Sequence, residues 1–190
     1  LNDKGRRPCP KKTAAIRELA MPTTVKEVQC LLGMLTFYRD YIPAFATIAT
    51  PLYSMLKKGI VFTEVWGEEQ IQAVTQTKRL LTSYGPQPDG SCSVLRLPDF
   101  NAPYRLHIDA AKVGTGLGAV LLQQDRGELV KYRADHPEAS DTPDRLLDIA
   151  WHPVAYWSKT ITGAQRRYSA TELETMALPP AILPFHAYLQ

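Results

Sequence analysis

The stretch from residue 104 to residue 123, YRLHIDAAKVGTGLGAVLLQ, constrains the fold of this chain more than any other part of it. Apolar and polar side chains alternate over residues 104–108, and a second apolar run covers residues 116–123. Residues 112–115 form a turn-like link between the two runs. The pattern predicts a β-hairpin with Asp109 at the end of its first strand, where a rigid backbone holds the carboxylate in the fixed direction that Mg²⁺ requires. An isolated aspartate at such a position is, however, more often a cap or a turn residue than a metal ligand.

A second acidic element lies in the segment SATELETMAL. Ser169 and Glu172 have the spacing of a capping box, which predicts a helix that starts here and gives Glu172 a structural role. Glu174 points about 200° around the helix axis from Glu172, near the face that carries Leu178 and Ala181. Because a carboxylate beside an apolar face is costly unless it is paired or bound to a metal, Glu174 joins Asp109 as a candidate metal-binding residue.

The first half of the chain is predicted to be helical. Thr24 and Glu27 form another capping box, followed by an apolar stripe that runs until Pro43. Further helices are predicted over residues 51–57, with proline in the first turn, and over residues 68–82. The predicted inward-facing residues are Val25, Val28, Leu31, Leu32 and Leu35 in the first helix, and Ile71, Val74, Leu80 and Leu81 in the last.

Composition indicates a globular, intracellular protein. The 190 residues are 45% hydrophobic and 22% charged, enough for one or two small domains. No apolar run approaches the roughly 20 residues that span a bilayer, so neither a membrane segment nor a signal core is predicted. Cys9, Cys30 and Cys92 show no paired spacing and are predicted to be free thiols. Residues 84–93 concentrate Gly, Pro, Ser and Asp, which predicts a domain boundary there.

The net charge of +3 permits a nucleic-acid partner without requiring one. Basic residues lie beside aromatic residues at two places, and this pairing favours contacts along a duplex backbone. Each basic cluster taken alone is more often a solvated surface. The candidate nucleic-acid-binding residues are Tyr38, Arg39, Lys159, Arg166, Arg167 and Tyr168.

Four ordered blocks resemble one known family. They are TTVKEVQCLLGMLTFYRDYIPAFATIATPLYSMLKKG, LPDFNAPYRLHIDAAKVGTGLGAVLLQQ, HPVAYWSKTITGAQRRYSATELETMAL and FHAYL. The chain resembles the reverse transcriptase thumb and the start of the RNase H domain in Pol polyproteins of gypsy-type LTR retroelements, which are related to retroviruses. The resemblance implies an α+β fold, in which a helical thumb over residues 1–86 and a linker over 87–98 precede an incomplete RNase H-like domain over 99–190. That domain would be a mixed sheet with a packed helix, its first three strands antiparallel from Tyr104, Gly116 and Pro153 onward.

The same resemblance implies an activity. Asp109 corresponds to the first catalytic aspartate of the family and Glu174 to its catalytic glutamate, in a two-metal hydrolysis of the RNA strand of RNA:DNA hybrids by Mg²⁺ or Mn²⁺. The family has two more aspartates, which are expected beyond Gln190, so the 190-residue fragment is predicted to bind metal weakly and to be inactive. The implied partners are an RNA:DNA hybrid or template–primer duplex and the rest of the polyprotein. The polymerase palm is absent from these residues, so no polymerisation is expected.

Two departures from the family pattern keep an alternative open. Pro179 and Pro180 predict a break in the acidic helix near Leu178. Residues 125–150 form a longer, more polar insertion, predicted as loop with a short helix in DTPDRLLDIA. These features fit a non-catalytic connection segment of a retroviral-type polymerase, or a decayed element copy. A sheet without its later strands would expose an edge, so marginal stability or aggregation is expected for the isolated chain.

Overall fold

The computed structural model describes residues 5–82, 94–110, 116–139, 142–143, 147–161 and 163–189, apart from the side chains of Pro10 and Arg166. Helices precede the sheet along the chain, as expected. The first part contains α1 (Pro10–Glu18), α2 (Val25–Phe37), α3 (Phe45–Ser54), α4 (Phe62–Val65) and α5 (Glu68–Thr82). The second part contains β1 (Tyr104–Ala110), β2 (Gly116–Gln124), α6 (Arg126–Asp135), β3 (Trp151–Thr160), α7 (Ala170–Ile182) and α8 (His186–Leu189).

The three strands form an antiparallel sheet in the order β1–β2–β3, which confirms the α+β fold and the predicted hairpin. Asp109 pairs with Gly118 across the hairpin, and its turn at residues 111–115 lies outside the described residues. The pairing of β2 with β3 shifts between Leu121 and Leu122. No strand among the described residues pairs with the outer edge of β1.

Among the described residues, the buried side chains form a helical core and a second core that consists of two adjoining clusters. The helical core has as its innermost residues Val28, Leu35, Ile42, Ala49, Leu52, Met55, Val74 and Leu81. The second core lies between one face of the sheet and α7, and its buried residues are Leu117, Ala119, Leu121, Val154, Ala155, Ile161, Leu173, Ala177, Ala181 and Phe185. Burial of α2 follows the predicted stripe, except that Val25 is only half-buried.

The N-terminus of α2 is capped slightly differently from the prediction. Thr24 Oγ1 accepts a hydrogen bond from the Glu27 amide at 3.2 Å, as expected for an N-cap. The Glu27 carboxylate, however, accepts from the amide of Thr23 at 2.7 Å rather than from that of Thr24. The helix ends at Phe37, before Pro43, and a 3₁₀ turn over Arg39–Tyr41 follows.

The predicted short helix over residues 51–57 is wrong. The helix is α3, which starts after Ala44 and has Pro51 in its interior. Phe45 and Ala49 bury one face of this helix, and that burial outweighs the backbone hydrogen bond that a proline removes. In α5 the predicted bounds are confirmed, but Ile71 faces solvent, and Ala73 is buried in its place.

The predicted break near Leu178 is also wrong, because α7 continues through Pro179 and Pro180 to Ile182. The two prolines lack the amides that would reach the carbonyls of Thr175 and Met176, one turn earlier. Leu173, Ala177 and Ala181, spaced four residues apart, are nevertheless buried against the sheet along the whole helix. Packing of this continuous face outweighs the local cost of the prolines.

The polar insertion over residues 125–150 contains a helix that the sequence analysis missed. Asp125 caps α6 by accepting a hydrogen bond from the Glu128 amide at 3.0 Å. A 3₁₀ turn over Pro137–Ala139 follows. The helix expected within residues 141–150 is not formed over 142–143 or 147–150, while residues 141 and 144–146 lie outside the described part.

The helical part packs directly on the sheet. The Ala46 amide, in the first turn of α3, donates a hydrogen bond to Ser158 Oγ on β3 at 2.8 Å. The Arg6 guanidinium donates to the Val154 carbonyl at 3.0 Å, which covers part of the outer edge of β3. The division at residues 87–98 stays a prediction, since residues 83–93 lie outside the described residues.

Candidate functional site

Asp109 lies at the exposed end of β1. Its neighbours Ile108 and Ala110 pack in the core beneath α7, and successive side chains of a strand point to opposite faces. The Asp109 side chain therefore projects from the face opposite α7. The residue opposite it, Gly118, has no side chain, so nothing on the paired strand covers the carboxylate.

Glu174 lies in the second turn of α7 and is exposed. The prediction that it lies beside an apolar face is right for Ala181, which is buried with Leu173 and Ala177, but wrong for Leu178, which is 48% exposed. The expected cost of burying the Glu174 carboxylate therefore does not arise. Its exposure leaves it available for a ligand from solvent.

Asp109 and Glu174 flank the same small core. Ala110 follows Asp109 and Leu173 precedes Glu174, and both neighbours pack in the cluster with Leu117 and Ile161. Within the described part of the chain, neither carboxylate takes part in an ion pair or a hydrogen bond through its side chain. The two acids lie at one end of the sheet, one extending from the strand and the other from the helix.

Glu172, by contrast, has the structural role that its spacing predicts. Its carboxylate accepts hydrogen bonds from the Ser169 amide at 2.8 Å and from Ser169 Oγ at 2.9 Å, while its own amide donates to Ser169 Oγ at 3.4 Å. This complete capping box satisfies the first amides of α7. The hydrogen bond from the Ser169 amide, followed by that from its hydroxyl, lowers the pKa of Glu172 below its ordinary value.

We expect the two glutamates of α7 to differ in stability measurements. Glu172→Ala should lower the melting temperature at pH 7, whereas the matched change Glu174→Ala should leave it nearly unchanged. Because the pKa of Glu172 is lowered in the folded state, its contribution is present above the ordinary glutamate pKa and is lost as the pH falls through the lowered value. Thermal melts from pH 7 to pH 3 should show the two variants converging in acid. An equal loss for both at pH 7 would contradict this division of roles.

The candidate nucleic-acid-binding residues fall into two groups. Lys159 at the end of β3, and Arg167 and Tyr168 just before α7, are exposed, and the side chain of Arg166 lies outside the described residues. Lys159 also lines a cavity of about 270 Å³, together with Gln165, Met176, Pro179, Pro180 and Leu183.

The second group consists of Tyr38 and Arg39, which are adjacent in sequence but differ in burial. Arg39 is exposed and lies 3.6 Å from the carboxylate of Asp40. Tyr38 is only 6% exposed and packs in the helical core, edge-on to Phe37. Its ring faces the core, where it is unable to stack on a base, and this corrects the expectation for Tyr38.

A polar cluster that the sequence analysis did not single out lies at the other end of β2. Donor atoms of Asp125, Glu128 and His152 all lie within 4.8 Å of one another, and His152 Nε2 is 2.8 Å from Glu128 Oε2. Arg96 forms an ion pair with Asp125. Burial alone would raise the pKa of Asp125, but the hydrogen bond from the Glu128 amide and the Arg96 guanidinium outweigh it and lower the pKa. The capping spacing of Asp125 and Glu128 was the available signal, but nothing local places His152 beside them.

The chain is similar to known proteins over most of its length. Residues 99–190 match the family described as the RNase H-like domain found in reverse transcriptase. The chain is 30% identical over 182 residues to the retrovirus-related Pol polyprotein from transposon opus of Drosophila melanogaster, covering 95% of this chain and 16% of that protein. It is 31% identical over 185 residues to the corresponding polyprotein from transposon 297 of the same fly, covering 97% of this chain and 14% of that protein. The Tf2-3 polyprotein of Schizosaccharomyces pombe is 27% identical over 190 residues, which are 100% of this chain and 12% of that protein.

Solved structures show the same fold. The foamy viral protease-reverse transcriptase in complex with an RNA/DNA hybrid matches with a TM-score of 0.65 at 19% identity, over 97% of this chain and 21% of that one. A form of that protein in complex with double-stranded DNA matches with the same TM-score at 18% identity, over 97% of this chain and 26% of that one.

Residues 99–190 therefore belong to the RNase H-like domain family found in reverse transcriptase. Over nearly its whole length the chain is similar to retrotransposon Pol polyproteins, and it spans 12 to 16% of the length of these relatives. No helix in the described ranges combines the length and apolar character needed to cross a membrane.

Proposed function

We propose that the polyprotein containing this segment hydrolyses the RNA strand of RNA:DNA hybrids, and that Asp109 and Glu174 supply two of the carboxylates that bind its Mg²⁺ or Mn²⁺ ions. The observation that carries this proposal is the pair of exposed carboxylates at one end of an RNase H-like sheet, on either side of one small core and engaged by no other described side chain. Family membership alone would not assign these two residues.

The surroundings of the two acids suit oxygen coordination of a hard cation. Asp109 lies in a strand and Glu174 in a helix. The backbone hydrogen bonds of these elements hold the Cα and Cβ atoms of both acids in fixed positions. Bound divalent ions would orient the attacking water and stabilise the leaving oxygen of a scissile phosphate.

The exposed basic residues support a nucleic-acid partner. Lys159 lies at the end of β3 and Arg167 in the 3₁₀ turn before α7, the helix that carries Glu174. Cations at this position favour contacts with phosphate groups, which orient a duplex without reading its sequence. Tyr168 is 45% exposed and extends the same surface, and Arg166 belongs to the proposal by its place in the chain.

A non-catalytic connecting role is the second candidate. It is favoured by one observation: among the described residues, no third acid or histidine joins Asp109 and Glu174 in a cluster that could hold a metal ion. The proline pair, however, no longer supports it, because α7 is continuous through Pro179 and Pro180. A connector also has no need for two exposed carboxylates at one end of its sheet. We therefore place the nuclease role first.

The decisive experiment uses the polyprotein from which this segment comes. Asp109→Asn and Glu174→Gln should each lower Mg²⁺-dependent cleavage of a labelled RNA:DNA hybrid about 100-fold or more, the scale of loss when a group that stabilises developing charge is removed. Asp135→Asn, an exposed acid at the end of α6, is the matched control and should leave the rate unchanged.

Cleavage that persists in both site variants would contradict the proposed residues and favour the connecting role. The 190-residue chain alone should show no turnover with Mg²⁺ or Mn²⁺, because two carboxylates hold such ions weakly. Turnover by this chain that Asp109→Asn abolishes would overturn that expectation while supporting the site.

A further inference from the structure

The cluster of Asp125, Glu128 and His152 has no part in the proposed nuclease site. Asp125 lies seven residues along the chain from Gly118, which pairs with Asp109, so the cluster and Asp109 are about 23 Å apart at the usual rise per residue. The donor atoms of this cluster come from two elements, since Asp125 and Glu128 lie at the start of α6 and His152 is in β3. The sheet and the helix together bring these side chains into one place.

We propose that Asp125, Glu128 and His152 form a binding site for Zn²⁺ or a similar first-row transition metal ion, which pins the start of α6 to β3. The three donor atoms lie within 4.8 Å of one another, and donors that share one tetrahedral zinc ion are about 3.3 Å apart. Metal binding would close this difference through rotations of the exposed Glu128 and half-buried His152 side chains. An imidazole nitrogen with two carboxylates suits zinc, whereas Mg²⁺ prefers oxygen donors alone.

The contacts that the three side chains already make determine which of their atoms could bind such an ion. His152 Nε2 and Glu128 Oε2 already lie 2.8 Å apart, and the metal would replace the hydrogen bond that joins them. Asp125 Oδ1 caps α6 and Oδ2 pairs with Arg96, so the ion would use a remaining lone pair of this carboxylate. The positive charge of Arg96 therefore opposes the metal, and its removal should strengthen binding.

Zinc titration of the 190-residue chain tests this site, with calorimetry for affinity and a thermal melt for stability. We expect one bound Zn²⁺ and a rise in melting temperature that grows with zinc concentration. Glu128→Gln and His152→Asn should each weaken binding at least tenfold and remove that rise, whereas Arg96→Gln should tighten binding. Circular dichroism of each variant without metal checks that the fold is intact.

Two matched variants separate this site from other zinc ligands. His186→Asn removes a histidine from α8, and Asp135→Asn removes an exposed carboxylate at the far end of α6, so neither should change the affinity. Affinity that is retained by folded Glu128→Gln and His152→Asn, or wild-type chain that binds no zinc, would overturn the proposal. These outcomes are independent of hybrid cleavage, so the nuclease proposal stands or fails separately.

Discussion

Leu121→Ala should destabilise the chain by about 2–5 kcal/mol, the range for removing a large aliphatic side chain from a packed core. Leu121 is 0% exposed and lies in the middle of the central strand, where it packs with Ala119, Ala155 and Phe185 beneath α7. Truncation to alanine leaves a cavity. The strands β1 and β3, paired on either side of β2, keep this cavity from collapsing. Since small domains are stable by only about 5–15 kcal/mol, urea unfolding of this variant should begin at much lower denaturant concentration.

Leu183→Ala is the matched control for that change. Leu183 is 73% exposed, in the 3₁₀ turn after α7, so its truncation should shift the free energy of unfolding by no more than about 0.5 kcal/mol. Equal losses for the two variants would mean that the sheet and α7 do not form a packed core in solution. Such a result would also remove the support on which Glu174 is positioned.

Gly116→Ala should cost about 1–3 kcal/mol, because it forces atoms into a fully packed contact between the helical part and the sheet. A Cβ at Gly116 would lie 2.5 Å from Thr47 Oγ1 and 3.3 Å from the Lys159 carbonyl oxygen. The first obstacle is a short side chain of α3 and the second is the backbone of β3. Either the Thr47 side chain or α3 itself has to shift to accommodate one methyl group, and a urea titration measures the loss.

Gly33→Ala is the same chemical change, but it should raise the stability of the chain rather than lower it. Gly33 lies in the interior of α2, and a Cβ there would meet nothing within 4 Å. Alanine should stabilise this helix by up to about 1 kcal/mol. Adding Thr47→Ala to Gly116→Ala should recover part of the stability, because it removes the nearer obstacle. If Gly116→Ala has no effect in the isolated chain, the helical part does not dock on the sheet as described.

Short-range patterns predicted much of this fold. Alternation over residues 104–108 and the apolar run after Gly116 predicted the hairpin, and the structure confirms both strands and their antiparallel pairing. The Ser169–Glu172 spacing predicted the start of α7, which the observed capping box confirms. These signals succeed because the interactions that produce them span only a few residues along the chain.

The errors arose where long-range packing outweighs local preference. Pro51, Pro179 and Pro180 disfavour helix by their own chemistry, yet all three lie inside helices whose other faces are buried. Tyr38 beside Arg39 looked like a contact for nucleic acid, whereas the fold places the tyrosine in the helical core. Local propensity is a matter of tenths to a few kcal/mol per residue, and burial of a whole helix face exceeds it.

Residue types at fixed local spacing were enough to establish the class of fold, the family resemblance and the identity of the two candidate acids. The folded chain was needed to show that Asp109 and Glu174 flank one core, and that Glu172 is a capping residue with its carboxylate already engaged. It was also needed to bring His152 to Asp125 and Glu128, across 24 residues of sequence from Glu128. The pairing of distant strands and helices is what creates these sites, and it depends on the packing of the whole chain rather than on any one segment.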